Sequence, residues 1–353
     1  MKAETTVFVG MSGGVDSSVS ALLLKEQGYN VVGVYMKNWS RDLPGMKCPW
    51  AEDLADAKRI AVKLGIPFEV WDFEDAYREK VVEYMLAEFK KGNTPNPDIM
   101  CNQEIKFKLF YEKAMERGAD FIATGHYART TKACHLSRAH DENKDQTYFL
   151  YRISDEAIKH TLFPIGEMLK PDVKKLAEEN GLHNAYKKES MGVCFVGEVG
   201  MKDFLKEYID TKPGEIREIE SEKVLGYHEG AIFYTIGQRH GLYLSGVAGE
   251  TNDGMPYYVV KKDLHNNIVY VSKNLNHAAI WTRELTLKDL VWRAEPVDGP
   301  RDVLVRLRHR APLVPAKFDG KKVIFESEIK RPASGQSAVL YDGEICIGGG
   351  IIE

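Results

Sequence analysis

The chain has 353 residues, 44% hydrophobic and 28% charged, with a formal net charge of −4. That length predicts two or three domains of roughly 100–200 residues each, and the slight acidity excludes a wholly basic nucleic-acid binder, so any RNA surface must be a local patch. No run approaches the roughly 18 apolar residues of a membrane span, and the N-terminus lacks a basic-then-apolar leader, so a cytoplasmic protein without a membrane partner is expected. The five cysteines, Cys48, Cys101, Cys134, Cys194 and Cys346, include no CxxC pair. Neither a zinc ribbon nor a thioredoxin-type motif is therefore expected, and in a reducing compartment no permanent disulfide is expected.

The first half alternates strand and helix patterns. Thr5–Gly10 reads as a strand, and Val15, Val19, Leu22 and Leu23 recur at helical spacing before Gly28. Val31–Met36 is a second strand, Glu52–Leu64 a helix ending at Gly65, and Phe68–Phe73 a third strand. Glu74–Lys91 reads as one amphipathic helix, Asn102–Arg117 as another, and Ala119–Gly125 as a further strand. Such alternation predicts an α/β fold with a parallel sheet that binds ligands at the carboxyl ends of its strands. Thr147–Ile153 carries strand or helix signals, and Pro171 suits the first turn of a helix. After about residue 200 the texture turns to β. Val303–Arg308, Val323–Ser327 and Ala338–Tyr341 alternate, with turns at Asp319-Gly320 and Asp342-Gly343, which predicts a small C-terminal β-barrel. The expected boundaries are 1–200, a central module at 201–275, and the barrel at 276–353.

Between the first strand and first helix lies Gly10-Met11-Ser12-Gly13-Gly14-Val15-Asp16-Ser17-Ser18. Paired glycines admit close backbone approach, a helix N-terminus presents unpaired N–H groups to an anion, and Ser12, Ser17 and Ser18 offer hydroxyls. The lysine of a Walker loop is absent. Asp16 stands there instead, and a carboxylate beside polyphosphate calls for Mg²⁺ between them. The bland alternative is an ordinary Gly/Ser turn. The loop resembles the SGGxDS signature of the PP-loop ATP pyrophosphatases, which implies ATP cleaved to AMP and pyrophosphate with adenylation of a substrate oxygen.

Cys101 follows Thr94-Pro95-Asn96-Pro97-Asp98, where Asp98 reads as a helix N-cap that places Cys101 in the first turn, a position that favours thiolate. Cys194 sits in the Gly-flanked Glu189-Ser190-Met191-Gly192-Val193-Cys194. Each could equally be a buried apolar cysteine. The segments NTPNPDIMCNQEIKF, ADFIATGHYA, NKDQTYFLYR, ESMGVCFVG and FYTIGQRHGL together resemble the bacterial tRNA-specific 2-thiouridylase family over nearly the whole chain, least so in the barrel.

That resemblance implies a tRNA-uridine sulfurtransferase that adenylates the uracil 2-oxygen and takes sulfur from a persulfide on Cys194. Cys101 would release the sulfur, closing a transient Cys101–Cys194 disulfide that reductant must reopen. Asp98 would be the acid/base residue or only a helix cap. ATP would lie on residues 10–18, Met36 and Gly125. His126 reads as structural or nucleotide-adjacent. The target base, extruded from its stack, would meet Asn96, Pro97 and Asp98. Further tRNA contacts would be Lys144, Asp145, Gln146, Arg308 and His309. Strand alternation puts Arg306, Arg308 and Arg310 on one face, either an RNA surface or a solvated one. Lys187, Lys188, Arg239 and His240 are further phosphate candidates. A sulfur-donor protein is implied as a partner, and tRNAs for Lys, Glu and Gln as substrates. A small-molecule PP-loop ligase would leave both cysteines idle, and a non-catalytic tRNA binder would release no pyrophosphate.

Overall fold

The computed structural model describes residues 2–42, 48–188, 200–242, 244, 255–293, 295 and 299–353. The chain opens with β1 (Thr6–Gly10), α1 (Val15–Glu26), β2 (Asn30–Lys37), α2 (Trp50–Leu64), β3 (Phe68–Asp72) and, after two further helices, β4 (Phe121–Thr124). Two short strands, β5 (Arg129–Thr130) and β6 (Leu136–Ser137), leave for another sheet before β7 (Thr161–Leu162) returns. The five parallel strands run in the order β3-β2-β1-β4-β7. Side chains of β1 alternate across this sheet: Val7 and Val9 pack with Val19 and Leu22 of α1 and Ile60 of α2, while Phe8 packs with Trp71, Phe110 and Ile122. Helix α2 ends where Gly65 takes the left-handed conformation that a C-terminal cap requires.

The two helices between β3 and β4 differ from a plain α reading. The first is α-helical at Glu74–Tyr77 and Tyr84–Lys90 around a π-helical stretch, Arg78–Glu83. The second begins at Pro97, not Asn102, and is α-helical at Pro97–Met100 and Phe110–Glu116 around the π-helical Cys101–Leu109. Apolar spacing distinguishes poorly between the two helix types, and π stretches collect at functional sites.

A helix at Met201–Tyr208 leads into β8 (Gly214–Glu218), β9 (Val224–His228), β10 (Tyr258–Asp263) and β11 (Ile268–Ser272), a sheet in the order β10-β11-β8-β9. The C-terminal strands are β12 (Trp281–Trp292), β13 (Arg301–Arg306), β14 (Val314–Phe318), β15 (Lys322–Lys330), β16 (Ser337–Asp342) and β17 (Ile345–Ile352). They run β12-β15-β14-β13-β16-β17, and β17 pairs back to β12, closing a barrel as expected. The Asp319-Gly320 and Asp342-Gly343 turns fall between β14 and β15 and between β16 and β17.

The barrel is locked to the N-terminal domain. β6 pairs with β17, Tyr148 donates to the Ser337 carbonyl at 3.1 Å, and Asp145 forms a buried ion pair with Arg306. All three units also meet just ahead of Asn96. Lys262 donates to the Gly92 carbonyl at 2.7 Å, Thr94 N–H donates to the Ser334 carbonyl at 2.8 Å, and the Gln336 amide donates to the Thr94 carbonyl at 2.6 Å.

Candidate active site

Gly10 ends β1 and Val15 starts α1, whose first turn has no side-chain cap. Its N–H groups are thus presented as an anion nest. Gly13 has φ +76°, and a Cβ there would collide with the Asp53 carbonyl. Met11 and Val15 bury their side chains in the core, so they offer only backbone. Ser12 is exposed. Ser17 and Ser18 are not free hydroxyls: both donate to the Gly14 carbonyl, at 3.0 and 2.9 Å, and Ser18 is 0% exposed. Ser18 contributes to the loop by holding its shape. The Asn184 amide braces the same turn, donating to the Gly13 carbonyl and to Ser18 Oγ, each at 2.9 Å.

Asp16 does not have the environment expected of a metal ligand. Lys170 Nζ lies 2.7 Å from both of its oxygens, and the Tyr127 hydroxyl donates to Oδ1 at 2.9 Å. The charge beside the nest is therefore balanced by a buried ammonium. Among the described residues no group of three or more His, Cys, Asp or Glu side chains could hold a metal by themselves, so a Mg²⁺ at Asp16 would need the phosphates of ATP for its other ligands and would have to compete with Lys170. Lys170 is the functional residue that the sequence reading missed. Its signal was a cation at the start of a helix, Lys170–Glu179, where the dipole disfavours it.

Met36 and Gly125 stand at the carboxyl ends of β2 and β4. A Cβ on Gly10 would lie 2.9 Å from Met36 Cε, and one on Gly125 only 2.5 Å from Ser17 N. The end of β4 thus presses on the first turn of α1. His126 follows, with Nδ1 2.8 Å from Thr124 Oγ1 and its ring 5.7 Å from that of Phe107. Burial holds its pKa well below the usual value, so it is neutral.

The N-cap of the next helix is Asn96, not Asp98. The Asn96 side chain accepts from Asp98 N–H at 3.1 Å, and Pro97 fills the first helical position, where its missing N–H costs nothing. Cys101 consequently lies beyond the first turn, its N–H bonded to the carbonyls of Pro97 and Asp98, and the expected dipole effect on its thiol loses its basis. Cys101 is 3% exposed and packs with Trp39, Cys48, Tyr77 and Phe204. Asp98 is half-buried, and burial raises its carboxyl pKa, with Lys106 opposing. Asn102 donates to the Asp98 carbonyl at 2.9 Å, while its own oxygen is buried without a partner among the described residues. Cys194 lies outside the described residues.

Of the expected tRNA contacts, Asp145 is corrected. It is 1% exposed and accepts from Thr147 Oγ1 at 2.9 Å and from Arg306; it docks the barrel. The shared face of Arg306, Arg308 and Arg310 is also corrected, because β13 stops at Arg306, which turns inward, and Arg310 has φ +62° in the turn beyond. Lys187 is held by Asp53 and Asp56, each at 2.7 Å, and so is no free phosphate contact. The Gln146 side chain accepts from Tyr127 N–H at 2.9 Å. The His309 ring lies 4.6 Å from that of Phe149, tilted by 41°, and Lys144, Arg306 and Arg310 all act on it; Arg308 is exposed. Burial, Arg310 and the other cations push the His309 pKa down to about 4. Lys188, Arg239 and His240 are exposed.

The profile of the tRNA methyl transferase HUP domain matches residues 5–198, that of the tRNA methyl transferase PRC-barrel domain residues 202–273, and that of the aminomethyltransferase beta-barrel domain residues 282–352. The chain is similar to tRNA-specific 2-thiouridylase MnmA of Pseudomonas putida (strain W619), 45% identical over 360 residues that cover 99% of this chain and 95% of that one. It is likewise similar to tRNA-specific 2-thiouridylase MnmA of Pseudomonas savastanoi pv. phaseolicola, 46% identical over 356 residues covering 98% and 94%. A looser likeness links it to NMN synthetase from Francisella tularensis, at a TM-score of 0.34 and 17% identity over 53% of this chain and 66% of that one. With a family profile over more than half of its length and such relatives from end to end, the chain belongs to the tRNA-specific 2-thiouridylase family.

Proposed function

We propose that the protein converts the wobble uridine of the tRNAs for Lys, Glu and Gln to 2-thiouridine, using ATP and a cysteine persulfide. The observation that carries this reading is that Asp98 and Cys101 share the first turns of a helix preceding β4. In a parallel α/β sheet such a helix starts at the carboxyl edge, the edge where the anion nest of α1 opens. The uracil 2-oxygen attacks the α-phosphorus of ATP, the O2–P bond forms, and pyrophosphate leaves with the electron pair of the broken P–O bond. The N3 proton passes to a base, for which Asp98 is the candidate. The terminal sulfur of a Cys194 persulfide then bonds to C2, and AMP departs with O2. The Cys101 thiolate breaks the S–S bond, leaving a Cys101–Cys194 disulfide and the thiolated base. Gly10 to Ser18, Met36 and Gly125 would hold ATP. Asn96, Pro97 and Asp98 would hold the base, and Lys144, Gln146, Arg308 and His309 the rest of the tRNA. A desulfurase or relay protein would recharge Cys194, and a cytoplasmic site suits a substrate drawn from the tRNA pool. No helix among the described residues is long and apolar enough to cross a membrane.

The test incubates protein, tRNA, Mg·ATP and a cysteine desulfurase with cysteine, which supplies persulfide-level sulfur, then analyses digested nucleosides by mass. 2-Thiouridine is expected from the wild type and is lost in Cys101→Ser and Cys194→Ser. Pyrophosphate release with full product from both variants would instead favour a PP-loop ligase that does not use its thiols.

A further inference from the structure

Lys106 has no role in the scheme above, yet its position is unusual. It lies in the π-helical stretch Cys101–Leu109, where the i→i+5 ladder sets it one turn on from Cys101. It is half-buried, and among the described residues no hydrogen bond or ion pair reaches its ammonium. The other lysines around this end of the sheet are matched: Lys170 with Asp16, Lys187 with Asp53 and Asp56, and Lys37 with Glu74. A half-buried cation normally has a partner. The charge of Lys106 acts on two groups, Asp98 and His126. Burial disfavours the ionised form of the first and the protonated form of the second, so neither is a settled counter-ion.

These two neighbours bracket the place where the chemistry must occur. His126 follows Gly125, which is packed against the first turn of α1 and so against the anion nest. Phe107, the next residue after Lys106, packs its ring 5.7 Å from the His126 ring at a 45° tilt. Asp98 is on the side of the target base. In an adenylation the α-phosphorus must lie between the pyrophosphate nest and the base oxygen, and Lys106, one turn on from Cys101 and next to Phe107 at the His126 ring, is the cation whose charge reaches groups on both sides.

We propose that Lys106 is a catalytic residue whose ammonium binds the α-phosphate of ATP and of the adenylated uridine. This rests on the reading of the protein as an adenylating tRNA thiolase. When O2 attacks, the P–O bond to pyrophosphate breaks and charge develops on the non-bridging oxygens. When sulfur displaces O2 from C2, the phosphate gains a second negative charge as free AMP. A fixed cation therefore binds both transition states more tightly than the ground state. No proton moves through Lys106 in either step.

The experiment uses the full-length protein with Lys106→Met and Lys106→Arg. Calorimetry compares AMP with adenosine, which differ only by the phosphate. Lys106→Met is expected to weaken AMP about tenfold or more, with adenosine within about twofold, and Lys106→Arg to recover part of the loss. In tRNA-dependent pyrophosphate release, Lys106→Met should lower kcat about 100-fold with little change in KM for tRNA. Equal effects on AMP and adenosine, or none, would overturn the assignment. So would intact kcat with weakened tRNA and a salt dependence reduced by about one ion, which would mark the partner as an RNA backbone phosphate. Thermal melts of both variants separate these outcomes from misfolding, since the arginine keeps the charge. If the wild type releases pyrophosphate but makes no 2-thiouridine, the thiolase reading fails, while the AMP-to-adenosine comparison still decides on Lys106.

Discussion

Lys170 Nζ stands 2.7 Å from each carboxylate oxygen of Asp16, and the pair closes one side of the anion nest. The lysine is 6% exposed, so removing it strands a carboxylate beside the place where polyphosphate would sit. Lys170→Met is expected to lose about 2 kcal/mol of stability, below the 3–5 kcal/mol of a fully buried pair because Asp16 keeps some solvent. It should also weaken ATP by at least about tenfold, since repulsion from Asp16 is then unscreened. Adding Asp16→Asn should restore most of the melting temperature. If the double variant melts as low as Lys170→Met alone, the pair is not the source of the loss.

Gly125 offers a purely steric probe of the same nest. An alanine Cβ would fall 2.5 Å from Ser17 N and 2.7 Å from the Asp16 carbonyl carbon, both backbone atoms that cannot swing aside. Gly125→Ala should push back the first turn of α1 at a cost of about 1–3 kcal/mol and reduce nucleotide binding far more than it reduces helix content. Nucleotide titration beside far-ultraviolet circular dichroism reads both. Unchanged ATP affinity would mean that the turn does not form the phosphate site.

Arg306 and Arg308, two residues apart, should behave as different kinds of residue. Arg306 is paired inside the protein with Asp145, so Arg306→Met leaves that buried carboxylate with only Arg138, at 3.7 Å, as a cationic partner and should cost about 3 kcal/mol, the low end of the range for a broken buried pair. Arg308 is exposed, so Arg308→Ala should leave the melting temperature within about 1 °C while weakening tRNA and reducing its salt slope by about one ion. Melting curves and tRNA titrations at several salt concentrations distinguish them. A stability loss for Arg308→Ala equal to that for Arg306→Met would contradict the inward turn at the end of β13.

The sequence disclosed what depends on local pattern. The strand–helix alternation, Gly65 as a helix stop, the turns at Asp319-Gly320 and Asp342-Gly343, and the Gly/Ser loop all follow from short-range sterics, and the fold agrees with them. What it hid depends on distance along the chain. Asp16 and Lys170 are 154 residues apart, and Asp145 and Arg306 are 161 apart. Charge type alone cannot say which surface residue has turned inward. The cap assignment failed for a nearer reason: Asn96 and Asp98 are both good caps, and it is Pro97, suited to the first helical position, that selects Asn96. The π stretch holding Cys101 keeps nearly the apolar spacing of an α-helix and left no separate mark.

Asp98 gives a prediction whose sign is opposite to that of most aspartates. Burial raises its pKa in the folded protein, so the folded state disfavours the ionised form relative to the unfolded chain. Below the ordinary carboxylate value the group is protonated in both states and costs nothing. As pH rises through the unfolded and then the folded pKa, the penalty appears, and above the folded value it is constant. Asp98→Asn, which is neutral and nearly isosteric, should therefore be more stable than the wild type at pH 7.5, with the gain shrinking as pH falls toward the ordinary carboxylate range. The same substitution should abolish proton transfer at N3 and lower tRNA-dependent pyrophosphate release by about 10²–10⁴-fold. Urea midpoints for both proteins across that pH range test the first part. A gain in stability that grows toward acid would show that Asp98 is ionised and paired when folded, and with that its claim to act as the base would go.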